Sequence, residues 1–376
     1  MPIVVAPAPL HQPGAIVTED VYGDSSAGIA GTALGQSFVF DALGVAVFGD
    51  AETIGGAGRG GADRLEITRV GAGVIVAGDA RQLMASAQGG DDAMTGGGDG
   101  ILLFGDAHSM LDASVGGSDT IRILGLSNPG VAWGDAGEMS GDARGGDDVL
   151  YGHYLIGDAG DLWDRAGGGD DRLFGRGAEA ILVGDGELRG EAEGGNDRLI
   201  ANHRNSLLHG DAQRMEEHAR GGDDYLHSKQ GGCMLYGDAE TMADDARGGH
   251  DVLSGSAERE TIIGDAATLW DRSVCGDDVL LGGKGDDTLY GDGVEIGAEV
   301  TRGADRFVFA KGCGRDVIGD FERDVDLIDL QRLGYTSFGQ LAIHEVGGDS
   351  VIDLPGTNQI TVTGVLGLTA ADFLLA

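Results

Sequence analysis

The chain has 376 residues, of which 72 are glycine and only 6 are proline, with 5% aromatics. Glycine at that level without a G-X-Y period excludes collagen, and 41% hydrophobic residues exclude a wholly disordered polyanion. The net charge of −38, from 63 acidic and 25 basic residues, repels phosphates and anionic lipid and attracts cations. Nucleic acid is therefore excluded as a partner.

The chain opens MPIVVAPAPLHQPGAIVTED, without a basic n-region or long apolar h-region, so no Sec-type signal peptide is expected. Residues 1–22 read as a flexible N-terminal segment outside the main fold. No run of about eighteen apolar residues occurs anywhere, so no membrane span is expected. Cys233, Cys275 and Cys313 are too few for a disulfide framework and read as small buried thiols.

From Gly23 onward the sequence repeats. Gly-Asp pairs place aspartate at 24, 50, 79, 106, 135, 158, 185, 211, 238, 265 and 292. A second signature, GG-x-D or a close variant, places aspartate at 63, 92, 119, 148, 171, 197, 224, 251, 278 and 305. The two series drift in phase, so a unit of about 27 residues recurs roughly ten times across 23–300. Each unit divides into three nonapeptides, as in ARGGDDYLH, SKQGGCMLY and GDAETMADD over 219–245. Leu226, Leu235, Leu253, Ile262, Leu280 and Leu289 fall nine or eighteen apart. Short apolar runs between glycine turns on a fixed period predict an all-β fold, an elongated parallel β-solenoid whose stacked coils share an internal ladder. In the third nonapeptide the apolar residues follow the Gly-Asp aspartate at +1, +4 and +8, as in Ala80, Leu83 and Ala87. Spacings of three and four predict a short helical turn there, with a third short strand as the competitor.

The run GGKGDDTLY at 282–290 matches G-G-x-G-x-D-x-U-x in full, U being a large apolar residue. Partial copies include ARGGDDVLY at 143–151, AGGGDDRLF at 166–174, AEGGNDRLI at 192–200, ARGGHDVLS at 246–254 and SVCGDDVLL at 273–281. In these runs the chain resembles the RTX, or hemolysin-type, calcium-binding repeat family. The resemblance implies a β-roll or β-helix that takes up several Ca²⁺ ions between turns of adjacent coils, and that folds on binding them. By motif position it implies ligands at Asp92, Asp119, Asp148, Asp171, Asp197, Asp224, Asp251, Asp278 and Asp287. The chemistry agrees: calcium takes six to eight oxygens from carboxylates and carbonyls, and glycine permits the tight turns that gather them. The Gly-Asp aspartates Asp79, Asp158, Asp238 and Asp265 are second-rank ligands, equally suited to capping. RTX rolls usually place eighteen residues in a coil. A 27-residue unit either alternates its GG-x-D loops between two edges or builds one larger coil with three sides.

Residues 301–376 change character, with more β-branched and aromatic residues. Runs such as RFVF, SVIDL and QITVTGV predict antiparallel strands that cap the open end. GADRFVF, GRDVIGDF and DLIDL resemble the cap of serralysin-type secreted proteins, which implies further calcium ligands at Asp305, Asp316, Asp320 and Asp326. The final DFLLA resembles the uncleaved C-terminal signal read by the type I secretion machinery.

Catalytic signatures are missing. There is no HExxH and no G-x-S-x-G, and His203 and His209 have no third zinc ligand in register. The reading is a secreted, calcium-binding, non-enzymatic protein of the cell surface or extracellular matrix, structural or adhesive, with surface glycans or other copies of itself as partners. A polysaccharide lyase or epimerase using Tyr151, His153, Tyr154 and Arg172 on a solenoid face is the alternative, and an extracellular calcium buffer a third.

Overall fold

Each repeat is one coil with three sides. The computed structural model describes residues 3–4, 10–17, 20–42, 46–70, 73–97, 100–125 and 130–376. The chain is all-β, a parallel β-solenoid of about ten turns at roughly 27-residue spacing. It divides into two compact units, Met1–Arg198 and Leu199–Ala376.

One coil of the second unit shows the plan. The GG-x-D loop delivers the chain into Tyr225–Ser228 on the first sheet. A turn at 229–233 leads to Met234–Tyr236 on the second. The Gly237-Asp238 corner then turns it into Ala239–Met242 on the third. Parallel pairing puts like residues in line: Leu226 on Leu253 and Leu280 in the first sheet, Leu235 on Ile262 and Leu289 in the second. The single apolar ladder expected from sequence is thus two ladders on two walls, with every member fully buried. The first unit repeats the plan with Leu103 and Ala132, Ile121 and Leu150, and Met110 and Met139.

The third nonapeptide is a strand, not a helical turn. In Ala80–Leu83 the two middle residues both face outward, so Ala80 and Leu83 point inward although they are three apart. A left-handed residue then reverses the chain and brings Ala87 inside. This position forms a column: Gly56, Ala85, Asp112, Gly141, Asp164 and Gly190 in the first unit, with φ between 62° and 79°, and Glu217, Asp244 and Asp271 in the second, between 56° and 64°. An outward pair followed by a reversal mimics the three-four spacing of a helical face, which is why the periodicity misleads.

Ile3–Val4, Leu10–Val17 and Val21–Tyr22 already pair into the sheets of the first unit; residues 1–2, 5–9 and 18–19 lie outside the described residues. At the other end Arg306–Val308 pairs parallel with Val279 and Leu280, and with Leu327–Asp329 beyond it, so the RFVF run extends the solenoid instead of capping it. Among the described residues antiparallel pairing is confined to Ala342–Val346, Asp349–Asp353 and Gln359–Val362. Within DFLLA, Phe373–Leu374 is a strand against Ile328 and Asp329. No helix of the described residues is long and apolar enough to cross a membrane.

Candidate metal centre

Within each unit the three-sided coil stacks the GG-x-D loops in one column and the Gly-Asp corners in another, the second of the two arrangements open at the level of sequence. The columns run inside the wall. Asp92, Asp119, Asp148, Asp171 and Asp197 in the first unit, and Asp224, Asp251, Asp278 and Asp305 in the second, are 1–3% exposed. They line up because each Oδ1 accepts the backbone N–H of the matching residue one rung earlier. The bonds are Asp92 to Asp119 at 2.6 Å, Asp119 to Asp148 at 2.6 Å, Asp148 to Asp171 at 2.7 Å and Asp171 to Asp197 at 2.8 Å. In the second unit they are Asp224 to Asp251 at 2.7 Å, Asp251 to Asp278 at 2.8 Å and Asp278 to Asp305 at 2.9 Å.

The second oxygen is different. Oδ2 of Asp63, Asp92, Asp119, Asp148, Asp171, Asp251, Asp278 and Asp305 is buried and meets no hydrogen-bond donor. It leans on the Cα of the glycine in a Gly-Asp corner: a Cβ on Gly105 would collide with both Asp119 Oδ2 and the carbonyl of Gly134. A Cα–H contact offsets little of a full charge.

The Gly-Asp column faces the first across the same corner. Asp79 and Asp158 each hold the N–H of the second glycine of the next loop, Gly90 at 2.8 Å and Gly169 at 2.9 Å. Asp238 and Asp265 do the same for Gly249 at 2.7 Å and Gly276 at 2.6 Å. Here successive carboxylates flank the first glycine of the loop, Asp106 Oδ2 and Asp135 Oδ1 on either side of Gly116. Neighbouring corner carboxylates lie within reach of each other, as Asp50 and Asp79 do. Such a contact is repulsive between two carboxylates and attractive when one is protonated.

The electrostatics follow from burial. Desolvation pushes Asp79, Asp119, Asp171 and Asp265 well above the carboxylate range, and neighbouring aspartates push them further. Asp63 rises to about 8 for the same two reasons. Rungs about 4.8 Å apart would cost roughly 3 kcal/mol per charged pair at an effective dielectric near 20. Each column must therefore carry protons or cations.

At its C-terminal end the solenoid answers this demand itself. Arg302 stands where earlier rungs have the first glycine of the loop, with Nε 3.8 Å from Asp292 Oδ2. Asp320 accepts the N–H groups of Gly291, Asp292 and Gly293 at 2.8, 3.0 and 3.0 Å. Asp326 accepts from Asp305 at 3.0 Å and from Glu322 at 2.7 Å, using both oxygens. Asp320 and Asp326, implied as ligands by the resemblance, thus close the columns with hydrogen bonds. Asp287 and Asp316 belong to a third column with Glu260, at the entrance to the second sheet: Glu260 N–H donates to Asp287 at 2.8 Å, and Asp287 N–H to Asp316 at 3.0 Å. Asp278 and Asp287, nine apart, therefore occupy different corners of one coil.

The sequence-derived ligands are brought together along each column, not three at a time. Among the described residues the one spot where three Asp, Glu, His or Cys ligand atoms lie within 4.8 Å of one another is Asp265, Cys275 and Asp292. Elsewhere an ion would draw carboxylates from adjacent rungs and complete its shell with backbone carbonyls. That donor set is all hard oxygen and suits calcium. Asp50, Asp106 and Asp135 belong to the same column and were not among the expected ligands, although the Gly-Asp period carried the signal. The remaining expected feature is met: Cys233, Cys275 and Cys313 are free and buried.

Tyr151 and Arg172 lie on the first sheet, His153 at a corner and Tyr154 on the second. Tyr151 stacks on Phe174 at 4.9 Å between centroids, beneath the Arg122 guanidinium. No protein-family model matches this chain, and no curated protein matches it.

Proposed function

We propose that this protein is a secreted, calcium-stabilised scaffold of the RTX type, acting at the cell surface or in the extracellular matrix, not an enzyme. One observation carries the reading: the column of buried aspartate Oδ2 atoms from Asp63 to Asp171, and again from Asp251 to Asp305, has no donor facing it. Divalent ions bridging successive rungs would turn this repulsion into the force that stacks them. Asp92, Asp119, Asp148 and Asp171 would hold such ions in the first unit, and Asp251, Asp278 and Asp305 in the second. Ion binding is then folding energy. Where calcium is scarce, the charged chain stays loose enough to be threaded outward by type I secretion machinery, with DFLLA free; outside, Phe373 and Leu374 join the sheet.

The test is a calcium titration of the EDTA-treated chain at fixed ionic strength and neutral pH, followed by circular dichroism and by counting bound metal. Several ions per chain and a large gain of β signal at millimolar calcium are expected. A chain equally folded in EDTA, with no bound ion, overturns the reading and leaves protons as the occupants of the columns.

A further inference from the structure

In one rung of the second unit the loop glycine that separates successive Gly-Asp carboxylates is replaced by a sulfur-bearing residue. In the preceding rung the first loop glycine, Gly248, sits between Asp238 Oδ2 and Asp265 Oδ1, both of which a Cβ would meet. One step of 27 residues further, the same place is taken by Cys275, between Asp265 and Asp292. Its Sγ and one oxygen of each aspartate lie within 4.8 Å of one another. Cys275 is 8% exposed, Asp292 2% and Asp265 0%. Asp265 Oδ1 accepts the N–H of Gly276 at 2.6 Å, whereas its Oδ2 is buried without any partner. By the repeat register, that orphan oxygen is the one turned toward position 275.

We propose that Cys275, Asp265 and Asp292 form a site for a thiophilic divalent cation of the zinc class, distinct from the oxygen-only calcium columns. A thiolate discriminates sharply between the two ions: sulfur ligands select zinc-class metals, while calcium takes hard oxygen. The thiol proton leaves for solvent as the metal–sulfur bond forms, together with any proton held on Asp265 or Asp292, so at least one proton is released per ion. Two carboxylates and one thiolate make a three-ligand set with one tetrahedral position left over. Arg302, on the far oxygen of Asp292, offsets part of the remaining negative charge.

The experiment uses the full chain, folded in excess calcium, and titrates it with cobalt(II) as a coloured substitute for zinc. The expected result is a thiolate-to-cobalt charge-transfer band that saturates at one equivalent and is abolished by added zinc. Cys275→Gly restores the residue that most other rungs carry, so its fold is expected to match wild type by circular dichroism while the band is lost. Cys233→Ala and Cys313→Ala keep the band, and Asp265→Asn weakens cobalt binding at least about tenfold. A wild-type chain without the band, or a band that survives Cys275→Gly, overturns the site. Because calcium is present throughout, neither outcome depends on how the columns themselves are filled.

Discussion

The backbone N–H of Asp119 donates to Asp148 Oδ1 at 2.6 Å, while Asp148 Oδ2, equally buried, meets no donor. One carboxylate thus does two opposed things: it completes the hydrogen bonding of the rung before it and adds an unmatched charge. Two substitutions separate them. Asp148→Ala leaves the Asp119 N–H buried and unpaired and is expected to destabilise the calcium-loaded protein by about 1–3 kcal/mol. Asp148→Asn keeps an acceptor and removes the charge. In EDTA it is expected to keep at least as much β signal as wild type, and to gain less from calcium. Denaturant unfolding in calcium and the calcium-induced gain of β signal by circular dichroism measure this; an Asn variant whose gain from calcium equals that of wild type would show that charge is not the cost.

Much of this relationship could be read from the sequence, because the period that repeats Asp119 and Asp148 also fixes their stacking. The apolar ladder was legible for the same reason: Leu226, Leu253 and Leu280 can stack only if the coils do. Three things were not legible. A spacing of 27 does not say whether a coil has two sides or three, since that depends on how sharply Gly237-Asp238 and residues 229–233 turn. The outward pair Arg81 and Gln82 disguised a strand as a helical face. Burial of the carboxylates on the inside of the corner arises from Gly105 and Gly116 making room for them, and charged residues in turns are ordinarily solvated.

The metal-free protein is expected to be more stable in mild acid than in mild base. Desolvation first, then neighbouring charge, raises Asp63 to about 8, while burial above all raises Asp50 to about 6 and Asp326 to about 7. Their unfolded values are about 3.9. Between about pH 4 and 8 the folded state therefore binds more protons than the unfolded chain, and stability falls as pH rises through this window. Calcium should close the gap by replacing protons. The check is the β signal in EDTA at pH 5 and pH 8, with the thermal midpoint wherever a folded state is present, repeated with calcium. A metal-free chain better folded at pH 8 than at pH 5 would contradict the burial of these carboxylates.

Gly105 is expected to be irreplaceable, because a Cβ there would run into Gly134 O and Asp119 Oδ2 together. Neither is the loose end of a flexible side chain, since Asp119 is pinned by its bond to the Asp92 N–H. Gly105→Ala must push two rungs apart and is expected to cost about 3 kcal/mol or more. At Gly339, in the short 3-10 turn Phe338–Gln340, an added methyl group would meet nothing within 4 Å. Gly339→Ala is expected to be neutral or to stabilise by up to about 1 kcal/mol, through the unfolded chain. Equal losses in the two variants, by denaturant unfolding in calcium, would deny that close rung packing is what requires glycine.

His209 acts in the opposite sense on the acid side. It is fully buried, packs against Tyr236 with ring centroids 5.0 Å apart and the rings tilted by 40°, and neither ring nitrogen has a hydrogen-bond partner. Burial lowers its pKa to about 3, so below about 6.5 the unfolded chain takes a proton that the folded one refuses. Stability is lost as pH falls from there. Further along the same column stand Tyr236, Ile263 and Tyr290, so the site accepts apolar rings and branched chains. His209→Phe is therefore expected to stabilise the calcium-loaded protein by about 1–3 kcal/mol at pH 7, by removing unpaired polar atoms from the interior. At pH 5 the gain should grow by roughly 2 kcal/mol, the linkage contribution of a group about 1.5 pH units below its unfolded pKa. Unfolding of both proteins at the two pH values measures this. A gain that does not grow on acidification would mean that His209 keeps its proton inside the fold, beside a partner.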